Sequence, residues 1–342
     1  MDKDIKCVIW DLDDTLWTGT LLEPNEVKLK PGIIEILKEL DKRGILNSIA
    51  SKNNYTDAME KLEEFNIAEY FLYPEINWNA KSLSIQKICK NINIGLDSIL
   101  FIDDQEYERD EVKYRNSSVS ILDASEYQNI LNMPRFNPRF ITIDSMNRRK
   151  MYLEDQIRKE EEEKYNGPQE KFLASLNMKL IISDAMEEDL MRAEELTIRT
   201  NQLNATGKTY SYEELDYFRQ SDRHKLLIAE LKDKYGSQGK IGLALIEEKE
   251  NGWHLHLLLM SCRVMSRGVG TVFLLHIINL AKEANVELFA YFKKTDRNKM
   301  MYLTYTFANF IEYKNDSLGN IIFKNDLSKV QDIPYYINVE EI

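Results

Sequence analysis

The sequence predicts an α/β protein in two parts, each a β-sheet flanked by helices. Three observations carry that reading. The chain has 342 residues, enough for two domains at about 150 residues each. Short β-rich runs alternate with helix-length amphipathic segments, the pattern of βαβ units and a parallel sheet. A strongly charged helical stretch over 147–165, stopped by Gly167-Pro168, interrupts the alternation. The expected parts are residues 1–130, a linker with a connecting helix over 131–171, and residues 172–342.

Each element has its own signal. Cys7-Val8-Ile9-Trp10 is an unbroken apolar run and reads as a buried strand. Residues 32–43 repeat their apolar side chains at helical spacing, and 45–50 give a second strand. Helices are expected over 56–66 and 82–91, followed by a third apolar strand over 98–102, and Met133 to Pro138 reads as an irregular turn. In the second part, helical segments over 187–199 and 211–219 precede strands over 225–231, 239–247 and 253–261. A long helix over 271–283, a strand over 288–292, a helix over 299–310 and a hairpin around 315–323 complete it.

Composition narrows the function. Hydrophobic residues at 43% and charged residues at 30% mark a chain that folds rather than one that stays disordered. The net charge of −12 argues against broad binding to nucleic acid or to an anionic membrane. Three scattered cysteines, Cys7, Cys89 and Cys262, make neither a disulfide framework nor a zinc site, so a reducing compartment is expected. The charged start, residues 1–6, lacks the apolar core of a secretory signal, and no apolar run is long enough to span a bilayer. A cytoplasmic protein follows as the expectation. The four histidines show no metal-ligand spacing; His254 and His256 share a strand face without a Cys or carboxylate partner. Catalysis is therefore expected from carboxylates, a thiol or backbone amides.

Asp11-Leu12-Asp13-Asp14-Thr15 directly follows the first strand, and ligands of parallel sheets gather at the carboxyl ends of the strands. Two carboxylates there can face one crevice and hold Mg²⁺, a hard cation that prefers oxygen. One of them can also attack a phosphoryl group. Ser51-Lys52-Asn53 follows the second strand, where a hydroxyl and backbone amides can hold phosphate oxygens. Lys81 opens a helix and can neutralise phosphate charge; Asp103-Asp104 ends the third strand and can complete a metal shell. Taken singly, each piece reads as well as a cap or a solvated charge, but four in order at strand ends and helix starts point to one site.

That order resembles the haloacid dehalogenase superfamily of phosphotransferases, on a Rossmann-like parallel sheet. The resemblance implies Asp11 as nucleophile and Asp13 as general acid/base, with Thr15, Ser51, Lys52 and Lys81 about the phosphate. It further implies Mg²⁺ held by Asp11, the Asp13 backbone carbonyl and Asp104, with Asp103 in support. The stretches Asp13 to Trp17, Ile49 to Asn54, Ile76 to Ser82 and Phe101 to Asp104 are similar to the FkbH-like branch. No large insertion separates Ser51 from Lys81, so a big cap is not expected and the site should be open.

Two later stretches, Arg199 to Asn204 and Ser261 to Gly270, also resemble FkbH-like proteins. The second is a strand, a glycine-containing turn and a helix N-terminus, which offers backbone N–H groups to an anion. It is similar to the pyrophosphate-binding turn of the Gcn5-related acetyltransferase (GNAT) fold, with Met265 where that fold carries Gln or Arg. A GNAT-like second domain is thus expected, with Asn201, Arg263, Arg267, Gly268 and Gly270 receiving an acyl or phosphopantetheine group. Cys262, beside two arginines and a helix start, reads equally as an acyl-holding thiol or a small buried residue. The resemblance implies a glyceryl transferase/phosphatase that takes 1,3-bisphosphoglycerate, a phosphorylated three-carbon substrate, and loads an acyl carrier protein for polyketide or nonribosomal peptide assembly, including methoxymalonyl-type extender units. The competing expectations are a stand-alone small-molecule phosphatase and a carrier-binding module.

Overall fold

A computed structural model describes residues 4–24 and 26–342; of the charged start, residues 1–3 lie outside the described residues. The chain forms two compact units, Met1–Gln156 and Ile157–Ile342. The division falls inside the segment 131–171. Among the described residues, no helix is long and apolar enough to cross a membrane.

The first unit begins with β1 (Cys7–Trp10), buried along its whole length, as a central parallel strand must be. A small hairpin of β2 (Trp17–Thr18) and β3 (Lys28–Leu29) leads to α1 (Ile33–Lys42), which buries Ile33, Ile36, Leu37 and Leu40 on one face. Then come β4 (Leu46–Ser51) and α2 (Tyr55–Glu64), whose first turn is capped by the Asn54 side chain accepting from the N–H groups of Thr56 and Asp57. β5 (Glu75–Ile76), α3 (Lys81–Ile92), β6 (Ile99–Asp103), α4 (Glu106–Arg115) and β7 (Ser120–Asp123) complete the sheet. Its order is β5-β4-β1-β6-β7, with every pairing parallel. The carboxyl ends of β1, β4 and β6 therefore lie side by side.

Sequence patterning missed β2, β3, β5, β7 and α4. The strands are two to four residues long, too short for an alternation to declare itself. The inward face of α4 buries only Glu108 and Val112, so it has no apolar stripe to read.

After α5 (Ile143–Met146), the helix α6 (Arg148–Lys164) carries the division between the units, and α7 (Gln169–Ser175) follows. The second unit continues with β8 (Met178–Asp184), α8 (Leu190–Arg199), α9 (Tyr212–Arg219), β9 (His224–Asp233), β10 (Gly236–Lys249) and β11 (Gly252–Met260). It ends with α10 (Val269–Glu283), β12 (Leu288–Lys293), α11 (Lys299–Phe307), β13 (Phe310–Asn315), β14 (Asn320–Asn325) and β15 (Ile337–Glu341). The eight strands form one mixed sheet in the order β13-β14-β12-β11-β10-β9-β8-β15. β8 and β15 lay outside the sequence-based expectation, and they pair with each other in parallel at one edge.

The middle of this sheet is split. The parallel strands β11 and β12 pair only over Trp253–Leu255 and Leu288–Ala290, then part. The chain's own segment Leu203 to Ala205 fills the gap. The Ala205 N–H donates to the Leu258 carbonyl, the Met260 N–H donates to the Leu203 carbonyl, and the Lys293 N–H donates to the Ala205 carbonyl. The parted edges are thereby satisfied from within, as buried backbone groups require.

Candidate active site

At the carboxyl edge of the first sheet, the chain turns sharply after β1. The Leu12 carbonyl accepts from the N–H groups of Thr15, Leu16 and Trp17, and Asp14 takes a left-handed conformation with φ 48°. This turn aims Asp11 and Asp13 differently. Asp11 is buried, with its Oδ1 2.9 Å from Lys81 Nζ, and Lys81 reaches Asp103 Oδ2 at 2.6 Å. Lys81 has that reach because it opens α3, and Asp103 because it ends β6. Oxygens of Asp11, Asp103 and Asp104 lie within 4.8 Å of one another. Three hard oxygen donors at that spacing fit a divalent cation such as Mg²⁺.

The Asp13 carboxylate lies outside this trio and is locked in place instead. Its Oδ1 accepts from Trp17 Nε1 at 2.8 Å and from the Leu21 N–H at 3.1 Å, while its Oδ2 accepts from Asn53 Nδ2 at 2.9 Å. Trp17 and Asn53 fall in stretches noted from the sequence, but no side-chain role toward Asp13 was expected of either. The side chain of Asn53 is buried, and its Oδ1 has no partner. Thr15 ties the loops together, since its hydroxyl accepts from the Asp104 N–H at 3.1 Å. Ser51, buried at the end of β4, hydrogen-bonds Asp11. Lys52 is placed differently from the expectation of a phosphate holder: its ammonium pairs with the buried Glu108 at 2.5 Å. A phosphate would have to compete with that carboxylate.

The electrostatics follow from burial. Burial pushes the Asp11 carboxyl up to about 7, with Lys81 pulling it down and Asp103 adding to the rise. Asp103 is raised by burial too, against Lys81, whereas the two carboxylates raise Lys81 despite its own burial. The folded site without a cation therefore holds protons more tightly than the unfolded chain. That contribution to stability is fully present below the unfolded aspartate value of about 4 and is lost as pH rises through about 7. In chelator, calorimetry should show the melting transition of this unit falling between about pH 5 and about pH 8, with Mg²⁺ restoring it most at the higher pH. A chelated midpoint that Asp11→Asn leaves with the same pH dependence would refute this origin.

The residues expected to serve in the second unit are less gathered. Cys262 opens a 3-10 turn, Cys262–Arg267, and is half-buried against the core. Gly268 caps α10 with φ 74°, a left-handed conformation that favours glycine, and a Cβ there would stand 3.0 Å from the Tyr336 hydroxyl. Gly268 and Gly270 line an apolar cavity of about 190 Å³ together with Leu258, Met260 and Met301. Cys262, Arg263, Arg267 and Asn201 do not line it. Arg263 donates to the Gln238 carbonyl, and buried Arg267 lies 3.9 Å from Asp233, so the sheet's own polar groups draw both guanidinium groups inward. Asn201 is exposed.

Comparison with known proteins bears mainly on the first unit. Residues 17–117 match the haloacid dehalogenase-like hydrolase family model. The match begins after the Asp11–Thr15 turn, so the placement of that turn rests on the geometry above. Human magnesium-dependent phosphatase 1 is 27% identical over 119 residues, covering 29% of this chain and 68% of the human protein. The N-terminal part of the protein BF1531 from Bacteroides fragilis, solved as a phosphatase domain complexed with Mg, is 29% identical with a TM-score of 0.33. That match spans 40% of each chain. The ribosomal-protein-S18-alanine N-acetyltransferase of Escherichia coli is 17% identical with a TM-score of 0.34, over 46% of this chain and 99% of that one. The first unit is a parallel-sheet α/β domain whose residues 17–117 match the haloacid dehalogenase-like hydrolase family, and the second is an α/β unit on an eight-stranded mixed sheet.

Proposed function

We propose that this protein is a Mg²⁺-dependent phosphatase of the haloacid dehalogenase type whose second domain passes a glyceryl unit to an acyl carrier protein. The observation that carries the phosphatase half is the buried constellation of Asp11, Lys81 and Asp103, with Asp104 beside it at the sheet edge. Mg²⁺ held by Asp11, Asp103 and Asp104 would neutralise charge on the phosphoryl oxygens. The protein's own groups do the rest. An Asp11 oxygen attacks phosphorus and the bond to the leaving oxygen breaks. Asp13 gives that oxygen a proton, then takes one from the water that frees phosphate from Asp11. Trp17, Leu21 and Asn53 hold Asp13 in one orientation for both transfers. Lys81 has three donors and uses two on carboxylates, which leaves one for a phosphate oxygen.

The glyceryl half rests on the FkbH-like stretches. Its donor would be 1,3-bisphosphoglycerate, an acyl phosphate at one end and a phosphate ester at the other. The Cys262 thiolate attacks the acyl carbon, the carbon–oxygen bond to phosphate breaks, and phosphate leaves. The carrier's phosphopantetheine thiol then displaces Cys262 and keeps the acyl group, its proton passing to solvent. The remaining phosphate ester is cleaved at Asp11. The cavity beside Gly268 and Gly270 would take the pantetheine arm.

A second reading has its own support. Cys262 does not line that cavity, as suits a phosphatase whose second domain only binds a carrier or supports the fold. Intact mass spectrometry of enzyme, Mg²⁺, 1,3-bisphosphoglycerate and phosphopantetheinylated carrier separates the two. A carrier gaining a glyceryl mass supports transfer. Phosphate release with an unmodified carrier leaves the phosphatase alone, and no phosphate release in either chelator or Mg²⁺ overturns both.

A further inference from the structure

We infer that the second domain holds a separate binding site for a small anionic ligand, a carboxylate or phosphate ester, in the basin between β11–β12 and the β13–β14 hairpin. This basin has a volume of about 430 Å³, within the usual range for small-molecule sites. His256 and Tyr291 line it from the sheet, Lys208 from the loop after the gap-filling segment, and Lys293, Lys314 and Asp316 from the strand ends and hairpin. It is a different cavity from the one beside Gly268, and Thr206 and Leu203, on the same loop, line one each.

The basin is cationic. Three lysines face one carboxylate in a chain whose net charge is −12. Lys208 and Lys314 have no ion-pair partner among the described residues, while Lys293 acts on Asp316 and helps hold its carboxyl below the usual range. Asp316 is turned to its own hairpin, where it accepts from the N–H groups of Leu318 and Asn320 and from Asn320 Nδ2. A concave surface with unpaired cations concentrates anions.

Two β-bulges build its walls. The ladder pairs Leu245 with Leu257 and Ile246 with Leu255, so His256 is the residue left over in a β-bulge. On the opposite wall, Glu312 pairs with Phe323 and Lys314 with Ile322, so Tyr313 is left over in another. Bulges re-aim side chains next to binding sites. Here one presents His256 and the other precedes Lys314. The His256 ring stacks on Tyr291 with centroids 4.6 Å apart and an 11° tilt, just beyond the last paired residues Leu255 and Ala290. Glu247 Oε2 accepts from His256 Nε2 in a 2.7 Å hydrogen bond, which turns Nδ1 away from it. The expectation that His256 lacks a carboxylate partner was thus wrong, because the partner lies on the neighbouring strand. The stacking of His256 on Tyr291 and its bond to Glu247 fix this floor, and the three lysines stand on its rim.

All four histidines belong to the second unit, so histidine-labelled NMR reports on this basin without interference from phosphate bound at Asp11. One titration uses inorganic phosphate, the other malonate, at low ionic strength. The expected result is a saturable shift of the His256 resonance, with His224 and His276 unmoved as controls. The Lys293→Ala/Lys314→Ala protein should bind about tenfold more weakly or worse, as loss of charged hydrogen bonds implies. The responsive anion identifies the ligand class. No saturable shift with either anion overturns the proposal, as does a shift of equal affinity in the lysine variant with its His224 and His276 resonances intact.

Discussion

Asp11→Asn should lower Mg²⁺-dependent phosphate release by about 10³-fold or more, since it removes the attacking atom while keeping the shape of the side chain. The fold should tolerate the change, because Lys81 retains Asp103 at 2.6 Å. Asp13→Asn should cost about 10²–10⁴-fold, the usual worth of a general acid/base. There the structure offers a particular reason to expect intact folding. The new amide oxygen can still accept from Trp17 and Leu21, and its nitrogen can donate to Asn53 once that amide rotates to present the Oδ1 that now lacks a partner. Melting curves near those of the parent, with phosphate release measured in parallel, separate chemistry from folding. If Asp11→Asn releases phosphate at close to the parent rate, Asp11 is not the nucleophile.

The parallel first sheet was legible because its central strands are buried on both faces and so read as unbroken apolar runs. Cys7–Trp10 was placed as the structure has it, and the ends of β4 and β6 within one residue. The polar residues immediately after those runs were therefore visible as neighbours in space. What escaped notice depends on contacts between residues far apart in the chain. Asn53 bonds Asp13 across 40 positions, and Glu247 meets His256 only because a bulge shifts the ladder. The segment Leu203 to Ala205 gave no strand signal, since its place is set by the unpaired edges of β11 and β12. Lys52 and Arg267 carry charge at expected positions, but each meets a carboxylate, Glu108 or Asp233, that local sequence could not locate. Residue type and order disclosed which chemistry is available, whereas partnership decided which groups remain free for it.

Cys262→Ser should leave Asp11-dependent phosphate release from a simple phosphate ester intact while reducing glyceryl loading of the carrier by about 10²-fold or more, because an alkoxyl is a far poorer acyl acceptor and leaving group than a thiolate. The half-buried position of Cys262 makes this a demanding test. A thiol packed against the core at a strand end must reach an acyl group from the solvent side of its 3-10 turn, and neither nearby arginine points its charge into the adjoining cavity. Serine is close in size, so folding should be unaffected, and Cys7 and Cys89 are both buried in the first unit, where burial pushes both thiols upward, away from reactivity. Peptide mapping of enzyme trapped with the donor before carrier is added should therefore find the acyl mass on Cys262 alone. Loading at the parent rate by Cys262→Ser would mean that the carrier thiol attacks the acyl phosphate directly. The second domain would then position the arm without holding the acyl group, and the phosphatase chemistry at Asp11 would stand unchanged.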